Sequence, residues 1–212
     1  TGLIVPLGEW VLRQACADAA NWPDRVNIAV NFSPIQFQGE NLPQIVVNAL
    51  ATSGVAPSRL ELEVTEAMLL QDNESNASAL HKLSALGVRI AMDDFGTGYS
   101  SLSYLQRFPF HKIKIDRSFI ANLESENDVA FAIVQAVATL AKALGVTTTA
   151  EGVETDSQMR ALLALGCDEM QGYLFSRPLS AADTDRYLRH GVGSTGFEWP
   201  VRHDMPGSLR FM

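Results

Sequence analysis

ALGVRIAMDDFGTGYSS, residues 85–101, reads as the end of a helix closed by Gly87, a short apolar strand, and adjacent carboxylates, Asp93 and Asp94, running into a glycine-rich loop. Two fixed negative charges side by side are costly unless a cation or a positive side chain shares the site. Gly96 and Gly98 flank Thr97, so the backbone there is free to take conformations with positive φ or to approach a ligand closely. The same helix, glycine, strand unit recurs in ALGVTT (143–148) and ALGCDE (164–169). A chain built from such units is an α/β protein with parallel strands.

Outward from that stretch, the pattern predicts an amphipathic helix over 4–20, a strand over 26–32 (VNIAVNF), a turn at SPIQF and a helix over 41–53 stopped by Gly54. LELEVTE (60–66) is the next strand and 76–86 the next helix. A short helix is expected near 101–106, a strand over 111–116 (HKIKID), and a long helix over 128–144 that Ser125 or Asn127 would cap. VTTTAE, ending at Glu151, is a strand, 157–165 a helix, EMQGYLF (169–175) the last strand and 181–190 the last helix. The remaining tail, 191–212, reads as irregular.

Nearly every predicted strand carries a polar group at its C-terminal end: Asn31, Glu63 with Glu66, Asp93 with Asp94, Lys114, Glu151 and Gln171. A doubly wound sheet concentrates ligand groups at one switch point, whereas a barrel collects them from many strand ends around one mouth. Polar groups at all the ends favour a TIM-like (β/α)8 barrel. Six predicted strands fall short of the usual eight, so the first two are expected to be absent from the N-terminal side of this chain.

Composition narrows the function. With 212 residues, 47% hydrophobic and 19% charged, the chain is long enough to bury one substantial core. A formal charge of −8 disfavours nonspecific binding to DNA, RNA or anionic membranes, so an anionic ligand needs local cations. Cys16 and Cys167 fit neither a disulfide framework nor a CxxC metal spacing and read as buried, reduced thiols of a cytoplasmic domain. No apolar run approaches the roughly 20 residues that cross a bilayer, so any membrane anchor of a parent protein would lie outside this sequence.

NFSPIQF, LELEVTE, IAMDDFGTGYSSL, KIKIDRSFI, TAEGVET and MQGYLFSRPL, in this order and spacing, resemble the EAL family of bacterial cyclic-di-GMP phosphodiesterases. The resemblance runs from the first helix to about Leu179 and implies an EAL domain over 1–190, truncated at its N-terminus, since the Glu-Ala-Leu signature would precede Thr1. It implies hydrolysis of cyclic di-GMP to linear pGpG at a two-metal site loaded with Mg²⁺ or Mn²⁺, with Ca²⁺ inhibitory. By motif, Asn31, Glu63 and Asp93 would ligate one metal and Asp94 would serve the second or bridge. Lys114 would stand near the attacking water and the phosphate. Glu151 would act either as general base or as metal ligand, and both remain open. Gln171 would hold water or ligand, and Glu154 would support the site from behind. Glu66 would anchor the regulatory loop Phe95, Gly96, Thr97 and Gly98, which in the family couples dimerisation to activity. The family commonly carries GGDEF or sensor domains upstream and works as a homodimer.

Each residue also has a plainer reading. Asn31 caps a turn, Glu63 with Glu61 and Thr65 forms a solvated strand face, Asp93 and Asp94 cap a following helix, and Lys114 with Lys112 is a surface charge. His81, His111, His190 and His203 show no ligand spacing. Two function classes follow: an active phosphodiesterase, and a catalytically silent receptor that binds the same nucleotide.

Overall fold

A computed structural model describes residues 3–37, 41–66, 68, 74–98, 105, 107–121, 123, 129–190 and 210–211. Helix α1 (Ile4–Ala19) is followed by β1 (Ile28–Phe32), the short α2 (Pro34–Phe37), α3 (Leu42–Ser53) and β2 (Leu60–Thr65). Next come α4 (Glu74–Ala85), β3 (Arg89–Phe95), β4 (Lys112–Ile115), α5 (Arg117–Ile120) and α6 (Val129–Leu144). Strand β5 (Thr147–Ala150), α7 (Asp156–Leu165), β6 (Glu169–Met170), α8 (Ala181–His190) and β7 (Arg210–Phe211) complete the order. Each ALG unit ends its helix with a left-handed glycine: Gly87 at φ 92°, Gly145 at 71° and Gly166 at 80°.

The strands form one parallel sheet in chain order, β1 to β7. Sequential order without reversal is the winding of a barrel, and a doubly wound sheet would reverse at its switch point. Among the described residues no ladder joins β1 to β7, so the sheet is an open part of a barrel.

The strands alternate apolar and charged side chains, and both faces are covered. Leu60, Leu62, Val64, Ile90, Met92, Ile113 and Ile115 belong to the core that also contains Leu80 and Leu83 of α4, Val134 and Ala141 of α6 and Leu162 of α7. The alternate positions Glu61, Glu63, Asp93, Lys112, Lys114, Thr149 and Glu169 are buried as well, all at 9% exposure or less. The charged face of LELE and KIKI is therefore the concave interior of the curved sheet, and the reading of Glu63, Lys112 and Lys114 as solvated charges fails for that reason.

Three local expectations change. The strand expected over 169–175 is only β6, because the chain turns at Gly172, where a Cβ would stand 2.2 Å from the Val153 carbonyl oxygen. Bonds from Leu174 N–H to Val153 O and from Phe175 N–H to Gly172 O complete that turn. Helix α5 was not foreseen; Asp116 nucleates it by accepting from the Ser118 N–H. Residues 210–211, within the tail read as irregular, add β7 to the free edge of β6. The expected helix near 101–106, the caps at Ser125 or Asn127 and the rest of the tail lie outside the described residues, apart from the helical assignments at 105 and 107.

Both cysteines are free and buried. Burial pushes the Cys16 thiol up to about 11 and the Cys167 thiol up to about 12, which keeps both protonated and unreactive. Among the described residues no helix is long and apolar enough to cross a membrane.

At the entry to β4, the His111 N–H donates to Ile90 O at 2.9 Å while the ring Nδ1 accepts the Ile90 N–H at 3.1 Å. Burial and the Arg89 charge hold this imidazole below its usual range, against an opposing pull from Glu61. A histidine that resists protonation when folded contributes stability that is complete above its unfolded value of about 6.5 and is lost as pH falls below it. Urea unfolding from pH 7.5 to pH 5 should therefore show a steeper acid loss in the parent than in His111→Asn, which keeps an acceptor without titrating; identical slopes would remove His111 from the account.

Candidate functional site

The C-terminal strand ends meet at Lys114, whose side chain is 4% exposed. Its Nζ lies 2.8 Å from Glu63 Oε2, 3.0 Å from Asp93 Oδ1 and 2.6 Å from Glu151 Oε1. Glu63 comes from β2, Asp93 from β3, and Glu151 follows β5 directly, so one ammonium from β4 gathers carboxylates across the concave face. Asp93 in β3 and Glu151 just after β5 flank β4, and curvature of the sheet helps bring in Glu63 from β2, two strands away.

Asp93 and Asp94 could not both face the same point from a regular strand, because successive side chains alternate. The register between β3 and β4 shifts between Met92 and Phe95, and Asp94 takes φ 55°. Among the described residues Asp94 is the one non-glycine with positive φ, a strained state that typically costs on the order of 1–3 kcal/mol and concentrates at functional positions. The distortion swings both acids to the mouth. One oxygen each from Asp93, Asp94 and Glu151 lie within 4.8 Å of one another.

Charge is out of balance here. Among the described residues, Glu63, Asp93, Asp94 and Glu151 set four carboxylates against the single ammonium of Lys114. Burial raises the Glu63 and Glu151 carboxyls and Asp93 adds to both, while Lys114 pulls the other way. Asp94 is raised by burial, then by Asp93 and Asp116. Burial alone would lower the Lys114 ammonium, but Glu63 and Glu151 outweigh it and hold it above the usual lysine range. Asp93 Oδ1 is buried, and the Lys114 ammonium at 3.0 Å is its one cationic neighbour among the described residues. Excess negative charge on converging hard oxygen donors suits divalent Mg²⁺, Mn²⁺ or Ca²⁺.

The other predicted positions are placed as follows. Asn31 is exposed and pairs in register with Glu63, one strand over. Gln171 is exposed at the mouth, its N–H donating to Ala150 O and its O accepting from Val153 N–H. Glu154 is exposed, its backbone N–H bound to Gln158 Oε1 inside the Thr155 capping box, and its carboxylate is not brought to the acid cluster. Glu66 is buried, with Oε2 only 3.2 Å from where a Cβ on Gly98 would stand, so glycine at 98 makes room for that carboxylate. Phe95 is buried, Gly96 lies against the Phe119 ring, and Thr97 closes a turn by donating through Oγ1 to Asp94 O at 2.8 Å.

Two features went unread in the sequence. Asp116, a strand end in the sequence pattern, extends its charge to Asp94, while its own carboxyl, raised by burial, is brought lower overall by hydrogen bonds from Ser118 and Arg117. Beneath the mouth lies a second buried ionic layer of Glu61, Lys112 and Glu169. Its signal was the i, i+2 spacing of Glu61 with Glu63 and of Lys112 with Lys114.

A parallel barrel-type sheet with acids converging at its C-terminal mouth is the architecture of a TIM-like domain. The chain belongs to the EAL domain family, whose profile matches residues 1–178. It is 48% identical over 185 residues to the bifunctional diguanylate cyclase/cyclic di-GMP phosphodiesterase MucR of Pseudomonas aeruginosa, covering 85% of this chain and 27% of MucR. The structure of the MucR phosphodiesterase in complex with c-di-GMP superposes with a TM-score of 0.82 at 46% identity, covering 86% of this chain and 81% of that one. Klebsiella pneumoniae BlrP1 in complex with manganese and cyclic di-GMP gives a TM-score of 0.76 at 32% identity, covering 82% of this chain and 44% of that one; BlrP1 has also been captured with calcium and the same nucleotide. The chain spans 22% to 32% of the length of the curated relatives it matches.

Opposite stability effects are expected from removing the lysine and removing one acid. Lys114→Ala should lower metal-free stability by about 3–5 kcal/mol, the usual consequence of stranding buried charges, and Mn²⁺ should restore part of the lost Tm. Asp94→Asn keeps a residue tolerant of positive φ while relieving repulsion from Asp93 and Asp116, so metal-free stability should rise, by about 0.5 kcal/mol after screening of a partly exposed group. Thermal melts with EDTA and with Mn²⁺ measure both.

Proposed function

We propose that this domain hydrolyses one phosphodiester bond of cyclic di-GMP to give linear pGpG, within a longer cytoplasmic signalling protein. The observation that carries the reading is the convergence of Asp93, Asp94 and Glu151 around a point where, among the described residues, Lys114 is the one ion-pair cation. Asn31, Glu63, Asp93 and Asp94 are the residues that would hold Mg²⁺ or Mn²⁺, with Glu151 as an alternative ligand. When bound, such cations polarise the diester and bring the pKa of water near neutrality.

The chain's own groups then have definite tasks. Lys114, kept protonated by its carboxylates, offers Nζ to a non-bridging phosphate oxygen as negative charge develops there. Glu151, raised by burial, is a competent acceptor for the proton of the attacking water. Water adds at phosphorus, one P–O ester bond breaks, and the departing ribose oxygen takes up a proton. Gln171 would orient water or ligand at the rim and Glu154 would act from behind. Glu66 and the loop Phe95, Gly96, Thr97 and Gly98 would tie turnover to a homodimer interface and to GGDEF or sensor domains upstream.

Incubating the full-length parent protein with cyclic di-GMP and Mg²⁺ or Mn²⁺ should release pGpG, and Glu151→Ala should reduce the rate by about 100-fold or more. Ca²⁺, larger and looser in coordination, should support little turnover. Tight nucleotide binding without product would shift the assignment to a receptor.

A further inference from the structure

Under the carboxylate site, Lys112 Nζ lies 2.7 Å from Glu61 Oε1 and 2.7 Å from Glu169 Oε2. Glu61 also accepts from Arg89 Nε at 3.2 Å, and Glu169 accepts from Thr149 Oγ1 at 3.0 Å. Two carboxylates thus meet two cations, so this layer is charge-balanced where the one above is not. Lys112, Glu61 and Glu169 are each at most 3% exposed. The layer joins β2, β4 and β6, three alternate strands that share no ladder, across the concave face.

Each member stands two residues before a residue of the mouth. Glu61 precedes Glu63, Lys112 precedes Lys114, Thr149 precedes Glu151 and Glu169 precedes Gln171. Residues two apart on a strand share a face, so the lower ion pairs and the upper site are consecutive rungs of the same strands. A short strut between non-neighbouring strands sets how sharply the sheet curves. That curvature decides whether Glu63 and Glu151 both reach Lys114.

We infer that Lys112, with Glu61, Glu169 and Thr149, is a positioning layer that sets the spacing of Glu63, Lys114 and Glu151 for cation binding. The layer contributes no group to the reacting atoms. The inference rests on the proposed cation site for its binding readout, but not for its structural one.

The test uses the full-length parent protein and a variant that removes the fully buried charges of the layer together, Glu61→Gln with Lys112→Met and Glu169→Gln, leaving only the partly exposed Arg89, because neutralising a buried ionic cluster as a unit often preserves folding. Its Mn²⁺ affinity, measured by calorimetry without nucleotide, should fall about 10- to 100-fold, the usual effect of altering groups that orient ligands. In a metal-free crystal structure, Lys114 Nζ should have separated beyond hydrogen-bond distance from Glu63 or Glu151. Unchanged Mn²⁺ affinity, or Lys114 still bound to both acids, would overturn the inference. If the parent itself binds no Mn²⁺, the proposed function fails while the Lys114 distances still decide the positioning claim. Should the triple variant not fold, Thr149→Val carries the test: it removes one of the two contacts that hold Glu169 Oε2, without removing a charge, and should weaken Mn²⁺ binding several-fold, with Thr149→Ser restoring it. Parental affinity in Thr149→Val would then refute the layer's role.

Discussion

The ammonium of Lys114, shared among Glu63, Asp93 and Glu151, is the contact on which the site depends. It is nearly inaccessible to water, so its desolvation has to be offset by close carboxylates, and these come from three separate βα units. One lysine cannot balance the four acids present. The excess negative charge is what the proposed divalent cations would offset.

Two conflicting demands meet at Asp94. A strand that continued its pleat would send Asp94 away from Asp93, and the fold instead accepts a register shift and a left-handed residue to keep both acids at the mouth. The flanking structure supports the distortion from both sides: Phe95 is buried in the core, and Thr97 closes the following turn onto Asp94 O. Strain held by packing on one side and a turn on the other is consistent with function rather than with a poorly folded segment.

Much of the fold was legible before any coordinates. The ALG units marked helix ends because a left-handed C-cap all but requires glycine, and the polar groups at successive strand ends pointed to a barrel mouth. Asn31, Glu63, Asp93 and Lys114 lie within the last three residues of their strands, and Glu151 and Gln171 follow theirs directly. The lower layer was not legible. Glu61 and Lys112 looked like the solvated half of an amphipathic strand, because alternation reveals that two faces differ and not which of them meets water. The last strand was overread for a related reason: the close approach of Gly172 to the Val153 backbone is a long-range contact with no local signature.

By itself, then, the chain's sequence determined the order and kind of its elements, the glycine stops, and which residues stand at strand ends, since all of these follow from interactions within a few residues. Only the tertiary structure decided that the charged strand faces are interior, that a single lysine binds three of the acids, and that a kink at Asp94 turns the fourth to the same point. Those outcomes depend on sheet curvature and on neighbours up to two strands away, as when Lys112 joins Glu61 to Glu169, and no local pattern encodes them.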